Sequence, residues 1–433
     1  MAASDDHATT SSHAAPDNAL AMYRSSGPLA GVRVLELGSF VAAPATTRTL
    51  ADFGADVIKV EQPGSGDELR QWGEMVETRT GEVSAWWLTL GRNKRLVSLN
   101  LRDPKGQELA LRLVRESQIV VENFRPGRLD AWNLSYDRMR NVNPAVVLVR
   151  ISGYGQTGPG HDRAGYGNVS ESMGGLRYVT GFPDRPPVRV GVSLGDMLAA
   201  QQAALGAVMA LRVAEKTGHG QIVDVAITES VFAMTEGMVT EYAHKGIVRE
   251  RSGNKLLRAA PSNVYRTRDE KWIAIGGNGE NVFRRFTSAM GQPELASDER
   301  FRDNRARVAN HDALDQIIEA WTSDHSLAEA QAALDAAGVP AGPVMSIADI
   351  VNDTQFQARG MIAHIADDRF PQGEVVMPGI VPTLTETPGV VRHAGGEPAQ
   401  HNNEIYRDLL GLDAEEIKSL ADEGVISPPP DEH

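Results

Sequence analysis

The sequence predicts an α/β fold, and three observations carry that prediction. From residue 31 to residue 151, short runs rich in Val, Ile and Leu alternate with segments of helical period. Glycines stand just beyond the ends of several of those runs, where a parallel sheet hands the chain to its next helix. Of the 433 residues, 41% are hydrophobic and 23% charged, which leaves enough apolar side chains to cover a sheet on both faces.

Taken in order, residues 32–37 read as a strand, 44–53 as a helix and 56–61 as a second strand. A helical pattern at 104–116 separates them from strands at 118–121 and 145–151, so the first part of the chain is an open sheet. Ligands of such sheets bind beyond the carboxyl ends of the strands. Those ends are Gly38-Ser39-Phe40-Val41-Ala42-Ala43, residues 61–67, Glu122-Asn123-Phe124-Arg125-Pro126-Gly127 and residues 152–160. The last holds Gly153-Tyr154-Gly155-Gln156-Thr157-Gly158, a literal G-x-G-x-x-G. Pro159-Gly160 follows it and keeps the chain in a loop, whereas a dinucleotide fingerprint needs a helix start there. No phosphate loop of the G-x-x-x-x-G-K-[ST] type and no H-E-x-x-H occurs.

Residues 188–192 read as a strand and 197–212 as an apolar helix, which puts Asp196 at the helix-cap position. Gly191-Val192-Ser193-Leu194-Gly195 matches the G-x-S-x-G elbow, whose strand-then-helix setting exposes a serine nucleophile. Asp196 competes with Ser193: a carboxylate at a helix start stays ionised and can attack an electrophile. A third reading makes Asp196 a cap and Ser193 a turn residue. Spacing alone leaves all three open.

After the turn Lys216-Thr217-Gly218-His219-Gly220 come a strand at 221–227 and one helical pattern over 229–242. The character then changes. Residues 263–268 and 272–275 form an antiparallel pair, three helical patterns follow before residue 337, and strand-like runs return at 342–345, 361–365 and 374–377. The expected organisation is therefore a large α/β domain over 28–225 and 342–425, with a smaller α+β domain at 226–341. Residues 1–27 lack the secretory pattern and are expected to be a disordered leader, and the proline-rich 426–433 to fray.

The composition excludes several classes. A net charge of −14 opposes a broad nucleic-acid face. The absence of cysteine removes disulfides, thiolate metal sites and cysteine nucleophiles. The most apolar helix, read over 198–211, contains Gln201 and Gln202 and is too short to span a bilayer, so no membrane partner is expected and a cytoplasmic location is the default.

Several stretches together resemble the class III coenzyme A transferases: Leu29-Ala30-Gly31-Val32-Arg33-Val34-Leu35-Glu36-Leu37, Gly54-Ala55-Asp56-Val57-Ile58-Lys59-Val60-Glu61, Asn93-Lys94-Arg95, Val121-Glu122-Asn123-Phe124-Arg125-Pro126-Gly127 and Ser152-Gly153-Tyr154-Gly155-Gln156-Thr157-Gly158-Pro159. Lys216-Thr217-Gly218-His219-Gly220-Gln221, Ala337-Gly338-Val339-Pro340-Ala341-Gly342-Pro343-Val344 and Gln400-His401 agree. The resemblance covers roughly residues 28–425. It implies a Rossmann-like large domain built from both chain ends, a small middle domain, and two chains interlocked as a homodimer or with a sister subunit.

The resemblance implies that Asp196, in the pair Gly195-Asp196, is the nucleophile of a CoA transfer that needs neither metal nor redox cofactor. It carries CoA contacts onto Val41, Ala42, Leu99, Asn100, Leu101, Arg102, Asn123, Phe124, Arg125 and Tyr166. Departures from the family pattern are Val41 for a glutamine, Ala131-Trp132 for a basic residue and Gly167 for an acid. The related α-methylacyl-CoA racemases carry a Gly-His-Asp run where this chain has Gly165-Tyr166-Gly167, which disfavours the racemase alternative. The run 165–181 is similar to the branch that pairs succinyl-CoA with malate or citramalate. The expected partners are an acyl-CoA and a carboxylic acid. The serine-hydrolase alternative would use Ser193 with a base drawn from His244, His311, His325, His364, His393 or His401.

Overall fold

The computed structural model describes residues 26–428. Its strands are β1 Arg33–Glu36, β2 Asp56–Glu61, β3 Met75–Thr78, β4 Gly81–Ser84, β5 Lys94–Ser98, β6 Ile119–Glu122, β7 Val147–Ser152 and β8 Ile222–Ala226. Six of them form one sheet in the order β5-β2-β1-β6-β7-β8, every neighbouring pair parallel. The alternation of side chains splits the apolar residues between two cores. Leu35, Ile58, Val120 and Leu148 face the helix Pro104–Arg115. Val34, Val57, Ile119 and Val149 face the helices Ala42–Asp52 and Leu194–Thr217.

The Leu194–Thr217 helix buries Ala199, Ala203, Ala207 and Ala210. Small side chains along that stripe let it lie against both the sheet and the Ala42–Asp52 helix. At 24 residues it is long and apolar enough to cross a membrane, contrary to the expected short helix, but its alanine stripe lies in the core beneath the sheet. Leu205, Val208, Met209 and Val213, at helical spacing, are exposed on its other side.

The free edge of β5 is closed by the C-terminal part of the chain. Leu96 N donates to His401 Nδ1 at 2.9 Å, and His401 N donates back to Leu96 O at 2.9 Å. Ser98 N donates to Asn402 Oδ1, and Tyr406 Oη to Ser98 O. Side chains thus stand in for a neighbouring strand. Because Nδ1 accepts, His401 is held as the neutral ring, and burial moves its titration below the ordinary histidine value. The unfolded chain therefore takes up this proton first on acidification, and the stability that depends on the neutral ring is present above pH ~6.5 and lost as pH falls below it. His401→Ala is expected to lower stability by about 1–3 kcal/mol at pH 7.5, since Leu96 N–H loses its acceptor. The same variant should remove part of the fall in melting temperature between pH 7.5 and 5.5, read by calorimetry; an unchanged pH profile would contradict this role.

Described residues fall into two compact units: one includes the sheet and takes in residues up to Ser170, Ser193–Val231 and everything from Gly360; the other comprises Glu171–Val192 and Phe232–Arg359. In the second, β9 Ser262–Arg266, β10 Trp272–Gly276 and β11 Ala341–Pro343 form an antiparallel sheet. Its core is Phe283, Phe286, Phe301, Leu314, Ile318 and Trp321. In the first, β12 Ile362–Ala366 and β13 Glu374–Pro378 make an antiparallel hairpin.

Several sequence expectations are corrected. The run at 342–345, read as a return to the large domain, gives β11, which pairs with β10, and the chain re-enters the sheet-bearing unit at Gly360. The single helix over 229–242 is two, Ile227–Phe232 and Met238–Lys245, broken where Glu236 adopts a φ of 52°. Residues 188–192 form no strand: Val188 and Val192 are exposed and no ladder receives them. Strand β5 and the β3–β4 hairpin are additions to the elements expected from the sequence. The tail expected to fray from residue 426 is anchored at its start, with Ile426 buried and Ser427 N donating to Ser98 Oγ at 2.8 Å. Of the expected leader, Gly27 packs against Phe53, and residues 1–25, like 429–433, lie outside the described residues.

Candidate active site

All six strands of the sheet point the same way, so the loops after β1, β5, β6 and β7 leave it at one edge. Those loops carry Val41 and Ala42, Leu99 to Arg102, Asn123 to Arg125, and Tyr166. The Leu194–Thr217 helix leads into β8 from the opposite edge, which brings its first turn, and Asp196, to the same edge as the loops. Strand order turns around between β1 and β6, and the crevice at such a switch is where open parallel sheets take their ligands.

Gly38 and Asn123 build that switch. A Cβ on Gly38 would stand 2.5 Å from Asn123 Oδ1, so only glycine lets the two loops close. Asn123 Oδ1 accepts from Ser39 N at 2.9 Å and its Nδ2 donates to Ser39 O at 2.8 Å. Its amide is therefore a clamp across the crevice. The next residue, Phe40, is left-handed with φ 64°, and its N–H donates to Asp67 Oδ1 at 3.1 Å. A carboxylate acceptor here offsets a backbone conformation that phenylalanine disfavours.

Asp67 belongs to a buried ionic cluster that sequence reading missed. Glu36 and Lys59 are 0% exposed and Lys94 is 1%. Lys59 Nζ lies 2.9 Å from Glu36 Oε1, 2.7 Å from Asp67 Oδ2 and 3.0 Å from Gly38 O. Lys94 Nζ lies 2.8 Å from Glu36 Oε2 and donates to Pro44 O at 2.9 Å, while Thr47 Oγ1 donates to Glu36 Oε2 at 2.5 Å. Two carboxylates thus face two ammonium groups under the loop 38–44. Burial pushes Lys94 down to about 8 even though Glu36 pulls it up. Desolvation would also lower Lys59, but Asp67, Glu36 and Glu61 hold it above the ordinary lysine range. The signal in the sequence is a charge between apolar neighbours, Glu36 between Leu35 and Leu37 and Lys59 between Ile58 and Val60.

A second buried acid supports the β6 loop. Glu122 Oε2 accepts from Phe124 N at 2.7 Å and Oε1 from Arg150 Nε at 2.8 Å. Burial pushes the Glu122 carboxyl up to about 7, opposed by Arg150. Phe124 meets Trp132 edge-to-face at 5.0 Å. Among the residues expected to touch CoA, Val41, Ala42, Leu99 and Leu101 are buried, while Asn123 and Phe124 are half-buried. Asn100 is half-buried, with Oδ1 accepting from Arg102 N, and Arg102, Arg125 and Tyr166 are exposed. The exposed tyrosine and two guanidinium groups suit an aromatic base and phosphates.

Asp196 is half-buried and is the third residue of its helix; Ser193 occupies the N-cap position, with no side-chain bond to the helix. This corrects the expected cap. The first turn of a 24-residue helix favours a carboxylate over a neutral group, whichever residue caps it. Ser193 follows irregular chain, so the strand that an elbow serine requires is absent. Of the histidines weighed as its base, His325, His364 and His393 bond Trp321 O, Glu374 and Ala394 O, and His401 bonds Leu96. Glu171 lies in the smaller unit, 3.6 Å from Arg177 and 3.8 Å from Arg189.

Comparison with known proteins gives the family. The family described as CoA-transferase family III matches residues 29–402. The chain is 47% identical over 399 residues to a succinyl-CoA–D-citramalate CoA-transferase of Chloroflexus aurantiacus, covering 92% of this chain and 98% of that one. It is 40% identical to the alpha subunit of a succinyl-CoA–L-malate CoA-transferase of the same organism, covering 92% of each. A crystal structure of a CAIB/BAIF family protein from Brucella suis superposes with a TM-score of 0.80 at 34% identity, over 89% of this chain and all of that one. A family match across nearly the whole sequence, with a relative this similar along its full length, places the protein: the chain belongs to CoA-transferase family III and is an enzyme of that class.

Proposed function

We propose that the enzyme moves CoA from succinyl-CoA to a dicarboxylic acid of the citramalate or malate type through covalent intermediates on Asp196. The observation that carries the reading is the Asp196 carboxylate in the first turn of the Leu194–Thr217 helix, at the sheet edge where the CoA-contacting loops emerge. The relatives named for succinyl-CoA, citramalate and malate supply the substrate class. In the first step an Asp196 oxygen attacks the thioester carbonyl and expels CoA thiolate, leaving a mixed succinyl-aspartyl anhydride. The thiolate attacks the aspartyl carbonyl, releasing succinate and forming aspartyl-CoA thioester. The acceptor carboxylate attacks that thioester and again expels thiolate, which takes the acceptor's acyl group and frees Asp196. Each addition makes an oxyanion that backbone N–H groups of the loops can stabilise.

In this reading CoA lies along the loops after β1, β5 and β6. Backbone at Val41, Ala42, Leu99 and Leu101 lines its path, Asn123 and Phe124 shape the crevice, and Asn100, Arg102, Arg125 and Tyr166 offer side chains. The acting form is two interlocked chains, each a Rossmann-like domain with a smaller domain, or one chain with a sister subunit, since the malate relative is named as an alpha subunit. The exposed apolar stripe Leu205, Val208, Met209 and Val213 is the kind of face an assembly covers. A cytoplasmic location completes the reading.

The test is a panel of acyl-CoA donors and free acids read by mass spectrometry, with the assembly measured in parallel by light scattering. Succinyl-CoA with citramalate or malate should give the new acyl-CoA and free succinate in equal amounts, from a dimer or after addition of the sister chain. Hydrolysis without transfer, epimerised acyl-CoA as the sole product, or activity in a concentration-independent monomer would each contradict the part it addresses.

A further inference from the structure

Gly167 is buried at the start of the short helix Gly167–Met173, and it is not among the glycines with left-handed φ. Its backbone would therefore accept an ordinary L residue. What forbids one is space. A Cβ built on Gly167 would stand 2.7 Å from Asp196 Cγ and 3.1 Å from Asp196 Oδ1, and closer still to Oδ2. Its three nearest neighbours are thus the three atoms of one carboxylate. Uncharged contact between heavy atoms needs about 3.5–4.0 Å, so the two groups cannot share the volume.

We infer that Gly167 is a positioning residue for the nucleophile: in this chain, which departs from the family's acid at this position, the missing side chain cedes the volume in which the Asp196 carboxylate stands, and a Cβ on this backbone displaces the carboxylate from that place. This rests on the reading of Asp196 as nucleophile. No left-handed backbone explains this glycine. Both residues lie in the sheet-bearing unit. The expected signature is a loss in the chemical step with little loss in CoA binding, since the loops after β1 and β6 are held by Gly38, Asn123 and Asp67 rather than by this contact.

The experiment compares Gly167→Ala, Asp196→Ala and the double variant with wild type, in the full chain, by melting temperature and by kcat and KM for succinyl-CoA. Gly167→Ala should lower kcat about 100-fold or more, the effect of moving a reacting group by roughly 1 Å, with KM within about threefold of wild type. Its melting temperature should fall below wild type, whereas in the Asp196→Ala background the same substitution should leave melting unchanged, because the colliding carboxylate is gone. If Gly167→Ala fails to fold, the double variant should still fold. An equal melting loss in both backgrounds, two unfolded proteins, or a kcat within threefold of wild type overturns the inference. Full activity in Asp196→Ala would instead overturn the nucleophile reading, and the pair of melting shifts would still decide whether Gly167 serves that carboxylate.

Discussion

Asp196→Asn is expected to reduce CoA transfer by at least about 10⁴-fold while leaving the melting temperature within a few degrees of wild type, in the range seen when a nucleophile is removed from an enzyme that works through it. The stability half of the expectation follows from where the residue sits. Asp196 is the third residue of its helix, and the helix does not depend on it for a cap, since Ser193 holds that position. Asparagine matches aspartate in size, so it enters the space beside Gly167 without a new collision. What it lacks is a charged oxygen able to attack a thioester. Binding of CoA should survive, because the loops after β1, β5 and β6 are organised without Asp196. The measurement is kcat/KM with succinyl-CoA and the best acceptor of the panel, beside calorimetry. Retention of more than a hundredth of wild-type activity would mean that another group does the chemistry.

The second large effect concerns the buried ions under the loop 38–44. Glu36→Gln is expected to destabilise the protein by about 3–5 kcal/mol, the usual consequence of leaving a buried charge without its partner. Glu36 is shared: one oxygen faces Lys59, the other Lys94 and Thr47. Lys59 keeps Asp67 after the change, but Lys94 keeps only the Pro44 carbonyl. Lys94 is already pushed down to about 8 by burial, so without Glu36 it should lose its proton and leave a neutral amine. A cycle with Lys94→Met separates this from general damage. Removing both groups should cost much less than the sum of the single changes, because the buried amine left without its partner is absent from the double variant. Activity should fall with stability in Glu36→Gln, since Lys59 also holds Gly38 O at the turn into the crevice. Additive losses in the cycle would contradict the shared-ion account.

Much of the fold was legible because parallel strands buried on both faces are written as short runs dominated by Val, Ile and Leu. β2 was read at its observed limits, and β1, β6, β7 and β8 within about two residues. β5 escaped because its first two residues, Lys94 and Arg95, are charged, and the structure shows why that is tolerated: Lys94 meets Glu36, and Arg95 meets Asp56 and Glu404. Residues 188–192 failed in the opposite sense. A β-branched run has strand propensity, but a strand exists only where a ladder receives it, and that partner is not visible in local sequence. The same limit explains the domain boundary near 342, where β11 pairs with β10 more than sixty residues earlier.

The site was legible unevenly. Asp196 and the loop residues were named through resemblance, and the geometry then separated them by what they can do. Leu99 and Leu101 sit in the core, while Arg102, Arg125 and Tyr166 reach solvent. Asn123 illustrates the gap best. From sequence it could end a strand or touch a ligand, and only the two hydrogen bonds to Ser39 show it tying two loops together. The ionic cluster and the Gly167 contact depend on residues brought together across 20 to 60 positions of chain, which periodicity and motif cannot register.

The most direct measurement of the central claim is chemical trapping on the unmodified enzyme. Wild-type protein is mixed with succinyl-CoA in the absence of acceptor, quenched with hydroxylamine, digested and sequenced by tandem mass spectrometry. An aspartyl anhydride or aspartyl-CoA thioester reacts with hydroxylamine to give a hydroxamate at the acylated carboxyl, and the account predicts that modification at Asp196, present only when succinyl-CoA was added. A hydroxamate at Glu171, an acyl group on Ser193, or no modification in a preparation that transfers CoA at full rate would contradict it.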